Sequence, residues 1–265
     1  DMKRLQAHRG VSSEYPENTI AAFKASVDEG YDIIELDPKY TKDGKFVFLH
    51  DKTLNRTARR RDDGSKPAED TKISDITLAE AQKYEYGSWK DEKFRGEPIP
   101  TLADVMSFGK KYPIPLKIDN VWQKFPEELQ DKFFDEIAES SEGVRIGFTC
   151  KDLAGLEKAA KRFPGCDLHY DGGDLSAETL GSVLKIAKGH PLVIWICYDN
   201  EMTKWFKGQK ATKELCEFVH GYGEIGVWIL SKREELERAV LEFDADVIET
   251  TGHIKPEWLR ELEAR

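Results

Sequence analysis

Glu35 and Asp37 stand two residues apart in the run Tyr31 to Lys39, whose apolar residues read as a β-strand. A spacing of two puts both carboxylates on one face. If that face looks into a closed interior, the two repel each other and both lose hydration. A divalent cation relieves both costs, and paired oxygen ligands suit Ca2+ or Mg2+. An arginine or lysine laid against the pair relieves them as well, and periodicity alone leaves both readings open. His8-Arg9-Gly10 closes the first apolar run, and His50, followed by Asp51, closes the run Phe46 to Leu49. A single histidine in such a place is more often structural. Two at the ends of early strands meet a chemical need, since phosphodiester cleavage requires one group to take a proton and another to protonate the departing alkoxide. Arg9 offers a planar pair of donors to a phosphate.

The elements that must hold these residues alternate along the chain. After the strand ending at His8, residues 17–29 read as a helix, with Ile20, Phe23 and Val27 at helical spacing and Gly30 as its stop. Further strands are expected at 114–119, 144–149, 166–170, 192–198, 225–230 and 246–249. Helices are expected near 101–111, 126–140, 152–162, 176–188, 211–219, 232–242 and 256–263. Alternation of this kind means parallel strands with crossover helices. Eight strand positions, leaving aside the return run at 46–49, favour one closed (β/α)₈ TIM barrel over an open sheet, spanning residues 3–263 of a single domain, 1–265.

Residues 51–100 break the rhythm and are expected as an insertion over the C-terminal face, where barrels place their active sites. Within them, Arg59-Arg60-Arg61 reads most simply as part of a solvated loop. Tyr84, Tyr86, Trp89 and Phe94 either pack the excursion down or line a pocket.

Composition removes some functions. The 265 residues carry a formal net charge of −10 with both signs interleaved, which disfavours a broad nucleic-acid surface while allowing a small positive pocket. No apolar run reaches the roughly 18 residues of a membrane-spanning helix. Cys150, Cys166, Cys197 and Cys216 lack Cys-x-x-Cys spacing and are expected as free, buried thiols. With Met2 as the native start there is no leader and a cytoplasmic protein is expected; a mature secreted chain is the alternative.

The ordered set His8-Arg9-Gly10, Glu17-Asn18-Thr19, Glu35-Leu36-Asp37, His50-Asp51, Leu54 and Arg56-Thr57 resembles the N-terminal signature of the glycerophosphodiester phosphodiesterase family. The likeness continues through Gly87-Ser88-Trp89, Phe94-Arg95-Gly96 and Ile99-Pro100-Thr101-Leu102. It is close over the first 105 residues or so and a matter of pattern beyond them. The resemblance implies a TIM barrel with a small insertion after its second strand, cleaving glycerophosphodiesters to glycerol 3-phosphate and an alcohol. It implies His8 and His50 as acid and base, Arg9 on the phosphate, and Glu35 and Asp37 on a divalent metal. Glu17 is a candidate substrate contact, and Glu17 and Asn18 are read together either as capping and orienting the first loop or as supporting His8 from behind.

The third strand departs from that pattern. Where the family carries Glu-x-Lys, this chain has Leu116-Lys117-Ile118-Asp119-Asn120; aligned without a gap, Lys117 takes the glutamate position and Asp119 the lysine position. Asp119 could still complete a metal site with Glu35 and Asp37. An ammonium among the carboxylates is the simpler electrostatic solution, so Lys117 is expected to neutralise Glu35 and Asp37 and leave Ca2+ or Mg2+ weakly held or absent. Glu249-Thr250-Thr251-Gly252 replaces the family's threonine-aspartate ending. Trp195 and Trp228 read first as inner-barrel packing, though either ring could wall a glycerol-like group. His169 and Lys117 join them as candidate substrate contacts.

The leading function is hydrolysis of a small phosphodiester or polyol-containing substrate by the paired histidines. The alternatives are a carboxylate-based hydrolase of another bond, such as a glycosidic one, and a phosphate-ligand-binding homologue without turnover.

Overall fold

The structure is a computed structural model that describes residues 2–265. Eight parallel strands close into a barrel. They are β1 (Arg4–His8), β2 (Ile33–Leu36), β3 (Leu116–Ile118), β4 (Ile146–Cys150), β5 (Asp167–Tyr170), β6 (Leu192–Cys197), β7 (Glu224–Trp228) and β8 (Val247–Thr250). Each strand pairs with the next, and β8 pairs back onto β1 through Arg4–Val247 to Ala7–Thr250. The crossover helices are α1 (Ile20–Asp28), α2 (Leu102–Lys111), α3 (Glu127–Ser140), α4 (Leu153–Arg162), α5 (Ala177–Ile186), α6 (Lys213–His220), α7 (Arg233–Leu241) and α8 (Pro256–Glu263). None of these helices is long and apolar enough to cross a membrane.

Strand parity sorts the side chains. Leu5, Ala7, Ile34, Leu36, Leu116, Ile118, Phe148, Leu168, Ile194 and Ile196 face the helices and join the main core. The alternate positions face the lumen, so both faces of every strand are covered and the strands read as near-continuous apolar runs. The N-terminal end of the lumen is plugged by Ile33, Val193, Trp195 and Val247. Gly226 in β7 makes room for this plug, because a Cβ there would lie 2.7 Å from the Trp195 indole. Toward the C-terminal end the lumen turns polar.

Strand two is shorter than its apolar pattern suggests. It ends at Leu36, and Pro38–Tyr40 leaves the barrel to pair antiparallel with Phe46–Phe48. Pro38 explains the exit, since it has no N–H to donate to a barrel ladder. Asp37 therefore sits where the strand leaves, with its backbone N–H donating to Asn18 Oδ1 at 3.0 Å.

The segment between Phe48 and α2 has a small core of its own, in which Leu54, Ala58, Ile73, Ala81, Tyr86 and Ile99 pack with Val47 and Leu49. Arg59–Arg60 pairs there with Tyr84–Glu85. The buried Glu85 carboxylate accepts from the N–H groups of Gly87, Ser88 and Gly96 and ties the loop together. The arginine cluster is spent on its own loop: Arg59 donates to the Ala58 carbonyl, Arg60 pairs with Asp62, and Arg61 donates to the carbonyls of Gln82 and Gly96. All four cysteines are free; Cys166 is half-buried rather than fully enclosed as expected.

The turn after β1 is the tightest point that bears on the site. Arg9 and Gly10 are both left-handed, at φ 60° and 76°. A Cβ on Gly10 would lie 2.8 Å from the Ala22 Cβ and 2.9 Å from the Ala22 carbonyl, so α1 packs directly on the turn. Gly10→Ala is expected to lower the unfolding free energy by about 2–4 kcal/mol, combining left-handed strain with overpacking. Urea unfolding of the two proteins checks it; equal midpoints would show that the turn does not need its glycine.

Candidate active site

At the C-terminal mouth of the barrel, Glu35, Asp37 and Asp119 each present an oxygen within 4.8 Å of the other two. Glu35 and Asp37 are buried. Burial, then the neighbouring charges of Asp37, Glu249 and Asp119, push the Glu35 carboxyl well above its ordinary range. Burial and Asp37 push Asp119 up to about 6, against the opposing pull of Lys117. Asp37 goes the other way. Burial works against its charge, but His50, Arg9, Lys39 and the Asn18 hydrogen bond hold it below the usual value. The group is thus split, one carboxyl held low and its two neighbours pushed up, as happens when too little positive charge faces crowded carboxylates. Three hard oxygen donors converging in this way fit a divalent cation such as Ca2+ or Mg2+.

Positioning is local and specific. Asn18, buried and left-handed at φ 54°, grips Asp37 twice: its Nδ2 donates to the carboxylate at 2.9 Å, and its Oδ1 accepts from the backbone N–H at 3.0 Å. Glu35 accepts from the Arg9 backbone N–H at 2.9 Å and lies 3.8 Å from His8 Nε2. Burial draws His8 below its ordinary pKa, with Glu249 opposing and Arg9 reinforcing, so the ring is neutral near pH 7. His8 Nδ1 and Arg9 Nε are buried without a hydrogen-bond partner among the described residues.

His50 enters the same mouth from the run after Phe48. Its Nδ1 lies 2.9 Å from Asp51, and Asp51 is held far down the acid range by His50 and Arg56 despite its burial. An ionised Asp51 can only accept, so Nδ1 donates to it and Nε2 is left to face the cleft. Arg56 donates to both Asp51 and Glu17, and Arg9 donates to Glu17 from the other side at 3.0 Å. Both Glu17 oxygens are therefore engaged by arginines, and Glu17 acts as a strut between Arg9 and the loop that carries His50. Asp37, Lys39, His50, Asp51, Asp119 and Lys124 line a cleft of about 510 Å³ here.

Two expectations from the third strand and beyond are corrected. Among the described residues, no ion pair joins Lys117 to Glu35 or Asp37; its ammonium lies 4.1 Å from the centre of the Trp195 ring. Lys117 is level with Glu35 on β2, whereas Asp119, two residues on, is level with the strand ends where the carboxylates meet. Asp119 is thus the third strand's contribution to the cluster, and Lys117 rests on an indole face that favours a cation. His169, expected near the substrate, accepts from Trp195 Nε1 at 3.0 Å. With Arg4, Lys117 and Arg145 it lines a separate cavity of about 240 Å³ at the N-terminal end of the barrel. Burial, then the charges of Lys117, Arg4 and Arg145, keep its pKa well below 6.5. It is a neutral interior histidine away from His50. Trp195 belongs to the inner plug, while Trp228 ends β7 with its Nε1 buried and without a hydrogen-bond partner among the described residues.

Several groups at the mouth escaped the sequence reading. Lys39 donates to the Leu49 carbonyl at 3.0 Å and reaches the cleft; its spacing of two from Asp37 was the available signal. Asp171, just past the end of β5, is pushed up to about 7 by burial, opposed by Lys117. Gln6 donates to Glu249, its register partner on the adjacent strand, a pairing visible only once β1 and β8 are neighbours.

Residues 8–171 match the Glycerophosphoryl diester phosphodiesterase family. This chain belongs to that family. A glycerophosphodiester phosphodiesterase of Caldanaerobacter subterraneus is 29% identical over 242 residues, covering 88% of each chain. A putative glycerophosphodiester phosphodiesterase of Bacillus subtilis is 46% identical over 100 residues, covering 38% of this chain and 37% of its own length. Among solved structures, an Oleispira antarctica phosphodiesterase in complex with its product sn-glycerol 3-phosphate superposes with a TM-score of 0.75 at 18% identity, covering 100% of this chain and 98% of the other. That last likeness carries the fold; membership carries the chemistry, phosphoric diester hydrolysis.

Asn18→Gly keeps the left-handed backbone and removes both bonds to Asp37. It is expected to cost about 2–3 kcal/mol in metal-free urea unfolding, the range for a hydrogen bond to a buried charge. Asn18→Asp, which sets a further carboxylate against Asp37, is expected to cost more. Unchanged stability in Asn18→Gly contradicts the clamp.

Proposed function

We propose that this family member hydrolyses glycerophosphodiester-like substrates with His8 and His50 as its proton-transfer pair and Arg9 as its phosphate contact. The observation that carries the reading is the Glu35–Asp37–Asp119 cluster standing beside His8, Arg9 and His50 at one barrel mouth. His8, neutral through burial, takes a proton from the water that attacks phosphorus. As the phosphorus–oxygen bond to the alcohol breaks, His50, held through Nδ1 by Asp51 and entering the step with a proton on Nε2 as well, gives that Nε2 proton to the leaving oxygen. If a hydroxyl of the substrate attacks in place of water, a cyclic phosphate forms first. Arg9, fixed by Glu17, keeps its Nε free for a phosphate oxygen. A Ca2+ or Mg2+ held by Glu35, Asp37 and Asp119 would polarise the phosphate and offset its charge.

Lys117 is assigned to the floor of the site, where its charge reaches Asp119 and Asp171, and Trp228 to its wall. Glu17 is assigned to positioning. We read residues 51–100 as an insertion over the C-terminal face of one domain, a reading supported by Asp51 and Arg56 bracing His50 against Glu17. Glycosidic chemistry is set aside, because family membership takes the carboxylates to phosphodiester hydrolysis.

His8→Ala and His50→Ala are each expected to lower kcat for glycerophosphocholine by about 10²–10⁴-fold. Near-normal turnover in either variant removes that histidine from proton transfer. Because the pKa of His8 is lowered, its neutral form persists as pH falls, and the acid limb of kcat/KM belongs below 6.5. An acid limb at or above neutrality contradicts His8 as base.

A further inference from the structure

The loop that joins β6 to α6 leaves the C-terminal face beside the candidate site, and its surface chemistry differs from the rest of the molecule. Among the described residues Trp205, at 66% exposure, is the most exposed large apolar side chain, and Met202, at 42%, stands on the same loop. Their neighbours Lys204 and Lys207 are exposed as well. Residues 202–210 contain three lysines and no acid, in a chain whose net charge is −10. Lys210 pairs with Asp199 at 2.9 Å, whereas Lys204 and Lys207 have no ion-pair partner among the described residues.

The exposed side chains stand on a fixed base. The Ala211 N–H donates to the Cys197 carbonyl at 2.8 Å, closing the ends of the loop, and Asn200 donates to the Ile229 carbonyl at 2.9 Å. Phe206, next to Trp205, turns inward and meets Trp228 edge-on at 5.3 Å. The loop thus buries one aromatic against the wall of the barrel mouth and presents the adjacent one to solvent. An indole with flanking lysines is the pairing found at membrane interfaces, where the ring sits at headgroup level and the ammonium groups meet lipid phosphates. Each lysine near an acidic bilayer adds attraction that salt screens.

We propose that the loop segment 202–210 docks the active mouth onto an anionic phospholipid surface, with Trp205 and Met202 entering the headgroup region and Lys204 and Lys207 facing lipid phosphates. The rest of the acidic surface would be repelled, so the loop also sets orientation, bringing the candidate site toward the lipid. This goes beyond the hydrolysis reading and does not depend on it.

The test is cosedimentation of the full chain with vesicles of phosphatidylcholine alone and of phosphatidylcholine with an equal part of phosphatidylglycerol. Binding is expected to the acidic vesicles, to fall as salt is raised, and to be weak on the neutral ones. Trp205→Ala and the double change Lys204→Glu with Lys207→Glu are each expected to weaken binding about tenfold or more. Leu241→Ala, which removes an equally exposed side chain from the outer helix α7, is expected to leave it unchanged. Turnover of the water-soluble bis(p-nitrophenyl) phosphate, with circular dichroism, shows that each variant keeps its fold and site. No binding to acidic vesicles, equal binding to neutral ones, or full binding by both loop variants overturns the proposal.

Discussion

Three carboxylates share the mouth of a barrel whose walls exclude most water, and much of the surrounding structure answers the repulsion among them. Glu35 and Asp119 respond with carboxyls pushed above their ordinary range, Asp37 by gathering His50, Arg9, Lys39 and Asn18 around it. Unpaired charge of this density is costly in a dry site. The protein side supplies only partial compensation: Arg9 stands 3.8 Å from Asp37, and Lys117 remains on the Trp195 ring without closing onto any of the three. A hard divalent cation is the complement that such an arrangement favours.

The supporting structure keeps these groups in place through backbone devices. The paired left-handed residues Arg9 and Gly10 aim the Arg9 N–H at Glu35. Pro38 ends strand two, so that Asp37 faces the mouth and the chain turns outward into the hairpin that delivers His50. Arg56 then bridges Asp51 and Glu17, coupling the loop that carries His50 to the turn that carries His8 and Arg9. A change at Arg56 or Glu17 therefore acts on both histidines at once, although neither touches the carboxylates.

Much of this was legible beforehand, for identifiable reasons. Alternating apolar runs and helical patterns gave the closed barrel, because parallel strands buried on both faces leave a strong signal. The spacing of two put Glu35 and Asp37 on one face. The height of a side chain in the lumen was not legible: the same spacing that set Lys117 and Asp119 on one side could not tell which was level with the carboxylates. The place of His169 was not legible for a related reason, since a strand-end histidine looks the same from sequence whether it faces the mouth or the plug. Asn18, Arg56 and Gln6 act through partners far off in the chain, Asp37, Glu17 and Glu249, and contacts of that kind appear only once the strands are neighbours.

The account turns on whether crowding at Glu35, Asp37 and Asp119 is resolved by a metal ion or by Lys117. Calorimetric titration of the metal-free protein with Ca2+ and Mg2+, alongside Asp119→Asn and Lys117→Met, separates the two. The account predicts one ion bound per chain, affinity lowered about a hundredfold in Asp119→Asn, near 3 kcal/mol, and binding retained in Lys117→Met. Absence of binding by the unaltered chain, with binding appearing only when Lys117 is removed, would contradict it and return the lysine to the cation's place.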